Sequence, residues 1–386
     1  MTETGKKSIG VGIIGTGFIG PVHIEGLRRN GIDVVAVCDG EKEAKAAAEA
    51  WNIPEVYTNF DYKALMASPN VDVVHIASPN RFHHEQSLAA LEAGKHVICE
   101  KPLAMNSQET AEILAKAEAS DRLFAVDYNV RFYPANLQMR AMVESGELGE
   151  IIHVNGYYMQ DWLHKVTDYN WRLLAEEGGS LRSVGDIGTH WMDLVSFILG
   201  QRIESVMATL GTYHKTRKRP PGEVATFARD LDTSDWLDYD VDTDDFSSIV
   251  MRFANGTIGN LATSQVAAGR KNCIKVEIYG SKKSVWWCSE DPNYLNVGSR
   301  DEPNQRVMRN SGFEHEAVLP YMDYPGGHNE GFPDTFKMMF RNFYGKLRGE
   351  DIQRYYANAL DGHHEILVCE AIEKSAKEQR WIDVEA

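Results

Sequence analysis

The chain has 386 residues, 43 % hydrophobic and 25 % charged, with a formal net charge of −16. That length supports two domains and a large core, and the composition is ordinary for a water-soluble globular protein. The acidic balance argues against nucleic acid or an anionic membrane as the main partner, and no apolar run reaches the ~20 residues of a membrane span.

The chain begins with a polar arm, Met1–Lys7, that has neither a signal-peptide apolar region nor twin arginines. The five cysteines (Cys38, Cys99, Cys273, Cys288, Cys369) form no Cys-x-x-Cys pair and no zinc spacing. A reducing, cytoplasmic setting and no metal are the expectation. Residues 9–14, Ile-Gly-Val-Gly-Ile-Ile, read as a buried strand running into Gly15-Thr16-Gly17-Phe18-Ile19-Gly20. A helix from about Pro21 to Arg29 follows, then an apolar strand, Val34–Cys38, ending at Asp39. Strand, Gly-x-Gly-x-x-Gly, helix and second strand together are the context a dinucleotide pyrophosphate requires. Gly15 makes the tight turn, Gly17 admits the phosphates and Gly20 lets helix and sheet pack closely. Phe18 and Ile19, between Gly17 and Gly20, are candidate cofactor contacts with them. Asp39, 19 residues past Gly20, is placed to accept hydrogen bonds from ribose hydroxyls and to repel a 2′-phosphate. NAD is therefore expected over NADP.

The strand–helix alternation continues through strands at Val71–Ala77 and His96–Cys99, the helices His83–Ala93 and Ser107–Ala119, and a last strand, Leu123–Asp127. It predicts a doubly wound parallel sheet over residues 1–129. Its strand ends carry Gly15–Gly20, Asp39, Ser78-Pro79-Asn80, Glu100-Lys101-Pro102 and Asp127–Asn129 on one edge. Lys101 ends a strand, where ligands bind in open parallel sheets, and Pro102 stops further pairing there. His75, inside an apolar strand, reads as a satisfied core histidine. His83 and His84 open a helix, where capping or packing competes with ligand contact.

From residue 130 the pattern changes. After a helix over Ala135–Ser145, segments with period-two patterning (Ile151–Tyr158, Glu204–Gly211, Phe246–Phe253, Thr257–Ser264, Ile274–Gly280) predict a large, open, mostly antiparallel sheet in an α+β domain. Asn255-Gly256 marks a hairpin. An exposed sheet face suggests a homo-oligomer, a dimer or tetramer. Asp186 and His190 lie four apart on a helix running to about Leu199, with Asp193 one turn on. An acid and an imidazole so spaced can hold a hydroxyl and move its proton; an N-capping Asp and a packing His are the equal alternative. Basic residues at His214–Arg219 and an acidic run from Asp230 to Asp245 read as a solvated loop with local charge balance, or as a flap over the substrate. His328 is a candidate lining residue or a loop anchor.

These motifs together resemble the glucose–fructose oxidoreductase / inositol dehydrogenase (MocA-like) family along essentially the whole chain. The specific parts are Gly15–Gly20, Ser78-Pro79-Asn80 with His83, Gly94-Lys95-His96-Val97 leading to Glu100-Lys101-Pro102, and Asp186 with His190. The resemblance implies that Lys101 binds the reacting hydroxyl, that His190 is the catalytic histidine and that Asp186 binds substrate. It puts Ser78, Asn80, His83, Glu100 and Asn129 at the cofactor, and has Trp171-Arg172 reaching toward it. Tyr157, with Trp162 or Trp171, is a candidate to stack on a sugar ring. Gly178-Gly179-Ser180 replaces the family's three glycines, and the spacer to Asp186 is longer. The implied activity is hydride transfer between nicotinamide and a secondary hydroxyl of a pyranose, a glycoside (including C3) or a cyclitol. A redox-neutral NAD-dependent glycosidase and a non-catalytic nucleotide sensor are the rivals.

Overall fold

The structure is a computed structural model that describes residues 9–222, 232–310, 312–313 and 315–385. The N-terminal arm Met1–Lys7 and Asp230, the start of the acidic run, lie outside the described residues. The chain divides into two compact units, one of Met1–Asp127 with Phe336–His363, the other of Tyr128–Thr335 with His364–Ala386.

In chain order the first unit contains β1 (Gly10–Ile14), α1 (Ile19–Arg29), β2 (Asp33–Cys38), α2 (Glu41–Trp51), β3 (Glu55–Tyr57), α3 (Tyr62–Ala67), β4 (Val73–Ile76), α4 (His83–Glu92), β5 (His96–Cys99), α5 (Ser107–Glu118) and β6 (Phe124–Val126). The six strands form one parallel sheet, ordered β3-β2-β1-β4-β5-β6. The order reverses between β1 and β4, the point at which such sheets bind dinucleotides. β1, β4 and β6 are buried along their whole length, as a sheet covered on both faces requires.

The second unit holds α6 (Pro134–Glu144), β7 (Ile151–Met159), the one-turn α7 (Ala175–Gly178), α8 (Thr189–Leu199), β8 (Ile203–Gly211), β9 (Thr216–Arg219), β10 (Leu237–Asp240), β11 (Phe246–Phe253), β12 (Ile258–Ser264), β13 (Cys273–Gly280), β14 (Ser284–Cys288), β15 (Tyr294–Gly298) and β16 (Gln305–Met308). Next come α9 (Phe332–Leu347), which belongs to the first unit from Phe336 on, α10 (Ala359–Glu378), which belongs to the second from His364 on, and β17 (Ile382–Asp383). Nine strands make one sheet, ordered β16-β15-β14-β13-β7-β12-β11-β8-β17; only the β12–β7 pairing is parallel. Asn255-Gly256 turns β11 into β12 as expected.

The charged stretch 214–245 differs from the solvated loop expected of it. β9 and β10 pair as an antiparallel ribbon, with Lys218 bridged to Asp238 on its exposed side. Its other side buries Arg217, and Val241 packs with Leu163 and Leu173 into a small core that Trp162, Tyr169 and Tyr239 flank. Alternate residues of a strand face opposite ways, so a basic run can be half solvated and half buried.

Candidate active site

The glycine loop of the first unit is shaped by its neighbours. Gly15 has φ +92°, and a Cβ there would stand 2.5 Å from the Ala77 carbonyl oxygen. A Cβ on Gly20 would stand 2.4 Å from the Gly15 carbonyl oxygen, whereas one on Gly17 would meet nothing. The loop is therefore closed at its two ends and open in its middle, at the start of α1, where amide donors and the helix dipole favour phosphate. Phe18 is 54 % exposed beside it. At the end of β2 the Asp39 carboxylate accepts from the Thr16 N–H at 2.6 Å and the Thr16 hydroxyl at 2.7 Å, and its other oxygen from the Gly40 N–H at 2.8 Å. An acid so held stands beside the phosphate loop where a ribose would lie. These residues fit a dinucleotide.

Further along the edge, Ser78 donates to Gln86 at 2.7 Å, and Asn80 is buried. His83 is fully buried; its Nδ1 lies 2.8 Å from the Pro102 carbonyl and its Nε2 2.9 Å from that of Ser78. Burial lowers its pKa, so the ring is neutral and donates to one carbonyl at a time. It braces two turns of the edge, as the packing alternative requires. Glu100 is buried, and its Oε2 accepts the Lys101 N–H at 3.1 Å. The Lys101–Pro102 peptide is cis. His75 is the satisfied core histidine expected, 2.9 Å from the Tyr344 hydroxyl and 2.8 Å from His23. His23, Glu100 and Asp127 bring one nitrogen and two carboxylate oxygens within 4.8 Å of one another, the one such trio among the described residues.

In the second unit, a π-helical turn over Val184–Gly188 runs directly into α8. π-Bulges of this kind are frequent at functional sites. Asp186 lies in that turn and His190 one turn on. The Asp186 carboxylate does not cap the helix. It accepts from Arg172 Nε at 3.0 Å and from Gln265 Nε2 at 2.7 Å. Arg172 also lies over the Trp171 ring, 4.2 Å from its centroid, in the short helical turn Trp171–Leu173 that Asn170 caps. The His190 ring packs edge-on to Tyr128 at 5.7 Å and tilted against Tyr158 at 6.2 Å. Asp193, one turn beyond, is gripped through both oxygens by Arg131. Asn129 donates to Thr335 at 2.7 Å.

Two further expected substrate contacts are Tyr157 and His328. A Cβ on Gly156 would strike Trp191 of α8, so the even-numbered residues of β7 face that helix. Tyr157 therefore points to the opposite face, opposite Lys275, and Tyr158 takes the place beside His190. Burial first, then the Asp186 charge, pushes the Tyr158 hydroxyl up. That hydroxyl donates to Asn272 at 2.5 Å, and Gln160 reaches the same oxygen at 2.9 Å. His328 is exposed, and its carbonyl accepts from Arg309, as in the loop-anchor alternative. Sequence reasoning missed Gln160, Gln265 and Asn272, neutral amides that carry no motif. For Tyr158 a signal existed: period two along β7 already put Tyr157 and Tyr158 on opposite faces.

Together the two halves define a class: an NAD-binding oxidoreductase with a Rossmann domain and a second domain bearing an acid–imidazole pair. The model described as "Oxidoreductase family, NAD-binding Rossmann fold" matches residues 9–128, and the GFO/IDH/MocA C-terminal domain matches residues 136–286. The chain belongs to the GFO/IDH/MocA oxidoreductase family and is a dehydrogenase acting on CH–OH groups. It is 29 % identical to levoglucosan dehydrogenase of Pseudarthrobacter phenanthrenivorans, over 98 % of each chain. It is 36 % identical to D-glucoside 3-dehydrogenase of Escherichia coli over 49 % of this chain and 54 % of that one. The structure of a levoglucosan dehydrogenase in complex with NADH and L-sorbose superposes with a TM-score of 0.87 at 27 % identity, covering 98 % of this chain and all of that one. Among the described residues, no helix is long and apolar enough to cross a membrane.

Proposed function

We propose that this chain oxidises a secondary hydroxyl of a pyranose or pyranoside with NAD, in the cytoplasm, and that Lys101, Asp186 and His190 carry the chemistry. The observation that carries the reading is the Asp186 carboxylate, fixed by Arg172 and Gln265 one turn before His190. A carboxylate, an imidazole and the amides of Gln160 and Asn272 offer the donors and acceptors that grip vicinal hydroxyls. The relative named for levoglucosan, an anhydropyranose, spans the whole chain, which favours pyranose-ring substrates over cyclitols.

Held by the Gly15–Gly20 loop and Asp39, NAD would supply the acceptor for the hydride of the carbinol carbon. His190 takes the hydroxyl proton, and Asp186 orients the hydroxyls and favours the imidazolium that results. The Lys101 ammonium stabilises the alkoxide as charge develops, a contribution of about 3–4 kcal/mol for a well-placed donor. Asp39 selects NAD, since a 2′-phosphate would meet a carboxylate already anchored to Thr16; no arginine follows it in α2 to offset that repulsion. Glu100, Ser78 and Asn80 support the nicotinamide side.

The test is a panel of levoglucosan, glucosides, free hexoses and inositols with NAD and with NADP, followed by NADH absorbance. NADH should accumulate with pyranose-ring substrates, faster with NAD. Cleavage of a glycosidic bond without net NADH would replace this reading with the redox-neutral glycosidase, and equal rates with NADP would remove the role given to Asp39. The face of the nine-stranded sheet that carries Tyr157 and Phe246, the latter 44 % exposed, is proposed to be covered by a second copy of the chain. Light scattering should give a dimer or tetramer mass, and a monomer mass would sink that assignment.

A further inference from the structure

Four side chains in the interior of the first unit, Tyr344, His75, His23 and Glu100, form a chain of hydrogen-bond contacts that ends one residue from Lys101, with the Asp127 carboxylate beside it. Tyr344 of α9 lies 2.9 Å from His75 Nε2 of β4, and His75 Nδ1 lies 2.8 Å from His23 Nδ1 of α1. His23 Nε2 lies 3.2 Å from Glu100 Oε1 at the end of β5 and 3.2 Å from Asp127 Oδ2 at the end of β6. Glu100 uses its other oxygen for the Lys101 N–H. His23, His75 and Tyr344 are fully buried, and the Phe336 and Phe340 rings pack against His23 at 5.7 and 5.2 Å. The titratable groups facing His23 are thus His75, Glu100 and Asp127, while α9 presents the two phenylalanines.

The contacts impose a direction. Burial, then His23, lowers the His75 pKa far below its ordinary value, so that ring is neutral with one N–H. Burial keeps the Tyr344 phenol protonated. Tyr344 can then donate to His75 Nε2, and His75 can donate from Nδ1 to His23. That leaves the His23 proton on Nε2, facing the two carboxylates. Burial, then Glu100, raises the Asp127 pKa well above the usual aspartate value, with Lys101 opposing; the hydrogen bond from His23 goes to Glu100. Burying this many polar groups in the interior is poor design for stability alone, since apolar groups of similar volume often serve as well or better. Departures of this kind from local rules concentrate at functional sites.

We propose that His23 is a positioning residue for the dehydrogenase: through Glu100 it fixes the Lys101 turn, without touching substrate or cofactor. The inference rests on the role given above to the Lys101 ammonium. His23→Leu should lower kcat by about 10- to 100-fold, the scale of a misplaced catalytic group, with KM and NADH affinity within about 3-fold. The Gln and Asn variants separate positioning from bulk. A Gln amide N–H reaches where Nε2 stood, toward Glu100, whereas that of Asn reaches only toward His75. His23→Gln should recover most of kcat and His23→Asn should not, a comparison that stands even if the Leu variant fails to fold. In a Lys101→Ala background the Leu substitution should change the residual rate by less than about 3-fold. Equal kcat for the Gln and Asn variants, or an undiminished cost of the Leu change in that background, would overturn the inference while leaving Lys101 in its role. Full turnover by Lys101→Ala would remove the role itself, and the inference with it. Stoichiometric divalent metal in the purified enzyme, lost in His23→Asn, would also overturn it.

Discussion

Lys101→Ala is expected to lower kcat by about 10²- to 10³-fold while NADH binds within a few-fold of the parent. The factor is that of removing one preorganised donor from a developing oxyanion. The sparing of cofactor affinity follows from where the side chain starts. The phosphate contacts are proposed for the Gly15–Gly20 loop and the ribose contact for Asp39, at the ends of β1 and β2. Lys101 stands past the end of β5, two strands from β1 in the sheet. An interaction made only as the hydroxyl loses its proton lowers kcat and kcat/KM together when removed, with KM little changed. Lys101→Arg should not rescue, because a planar guanidinium cannot occupy the place of a compact ammonium. Steady-state kinetics with a fluorescence titration of NADH decide the matter. Loss of NADH binding with normal turnover per bound cofactor would show Lys101 to be a cofactor anchor.

Much of this site was legible in the sequence because its parts are local. Gly15, Gly17 and Gly20 declare their roles through spacing between a buried strand and a helix, and the structure gives the two outer ones the close approaches that exclude a Cβ. The period-two segments and Asn255-Gly256 declared the core of the second sheet, and Asp186 and His190 stood out as a pair four apart. What was hidden depends on contacts between distant parts of the chain. His23 and Asp127 are 104 positions apart and share no motif, yet meet because α1 and β6 both pack about the same sheet. Gln265 reaches Asp186 from the far end of β12, and a neutral amide leaves no trace in charge or periodicity. β15 and β16 went unread because, at five and four residues, they are too short for a period of two to stand out. The stretch 214–245 was misread because composition cannot show that the partner of Arg217 is Asp245, 28 residues on.

That partnership supports the second large effect. Asp245→Asn should destabilise the second unit by about 3–5 kcal/mol at neutral pH, the cost of leaving buried charge uncompensated. Asp245 Oδ1 accepts from both Arg182 and Arg217, the latter at 2.7 Å, and Oδ2 accepts from the N–H groups of Tyr213 and His214 at 2.7 and 3.0 Å. All three charged side chains are fully buried. An Asn keeps the shape and half of the acceptors but leaves two guanidiniums without that charge. Burial by itself would raise the Asp245 pKa; the Arg182 charge and the hydrogen bonds outweigh it and hold the pKa below the ordinary value. The sign follows: a lowered folded pKa contributes stability above the unfolded aspartate pKa and loses it as pH falls through the folded one. The parent should therefore lose more stability between about pH 5 and pH 2 than the variant does, so that their unfolding free energies converge in acid. Denaturant melts across that range measure it, and parallel curves would refute the assignment. The effect should also reach catalysis, because Arg182 and Asp244 tie down the turn that carries Asp186. The Asp186 N–H donates to the Arg182 carbonyl at 2.8 Å, and Asp244 accepts from the N–H groups of Arg182 and Val184 at 2.6 and 3.0 Å. Folded Asp245→Asn enzyme should turn over more slowly than the parent, since loosening Arg182 loosens the Asp186 carboxylate proposed to orient the substrate.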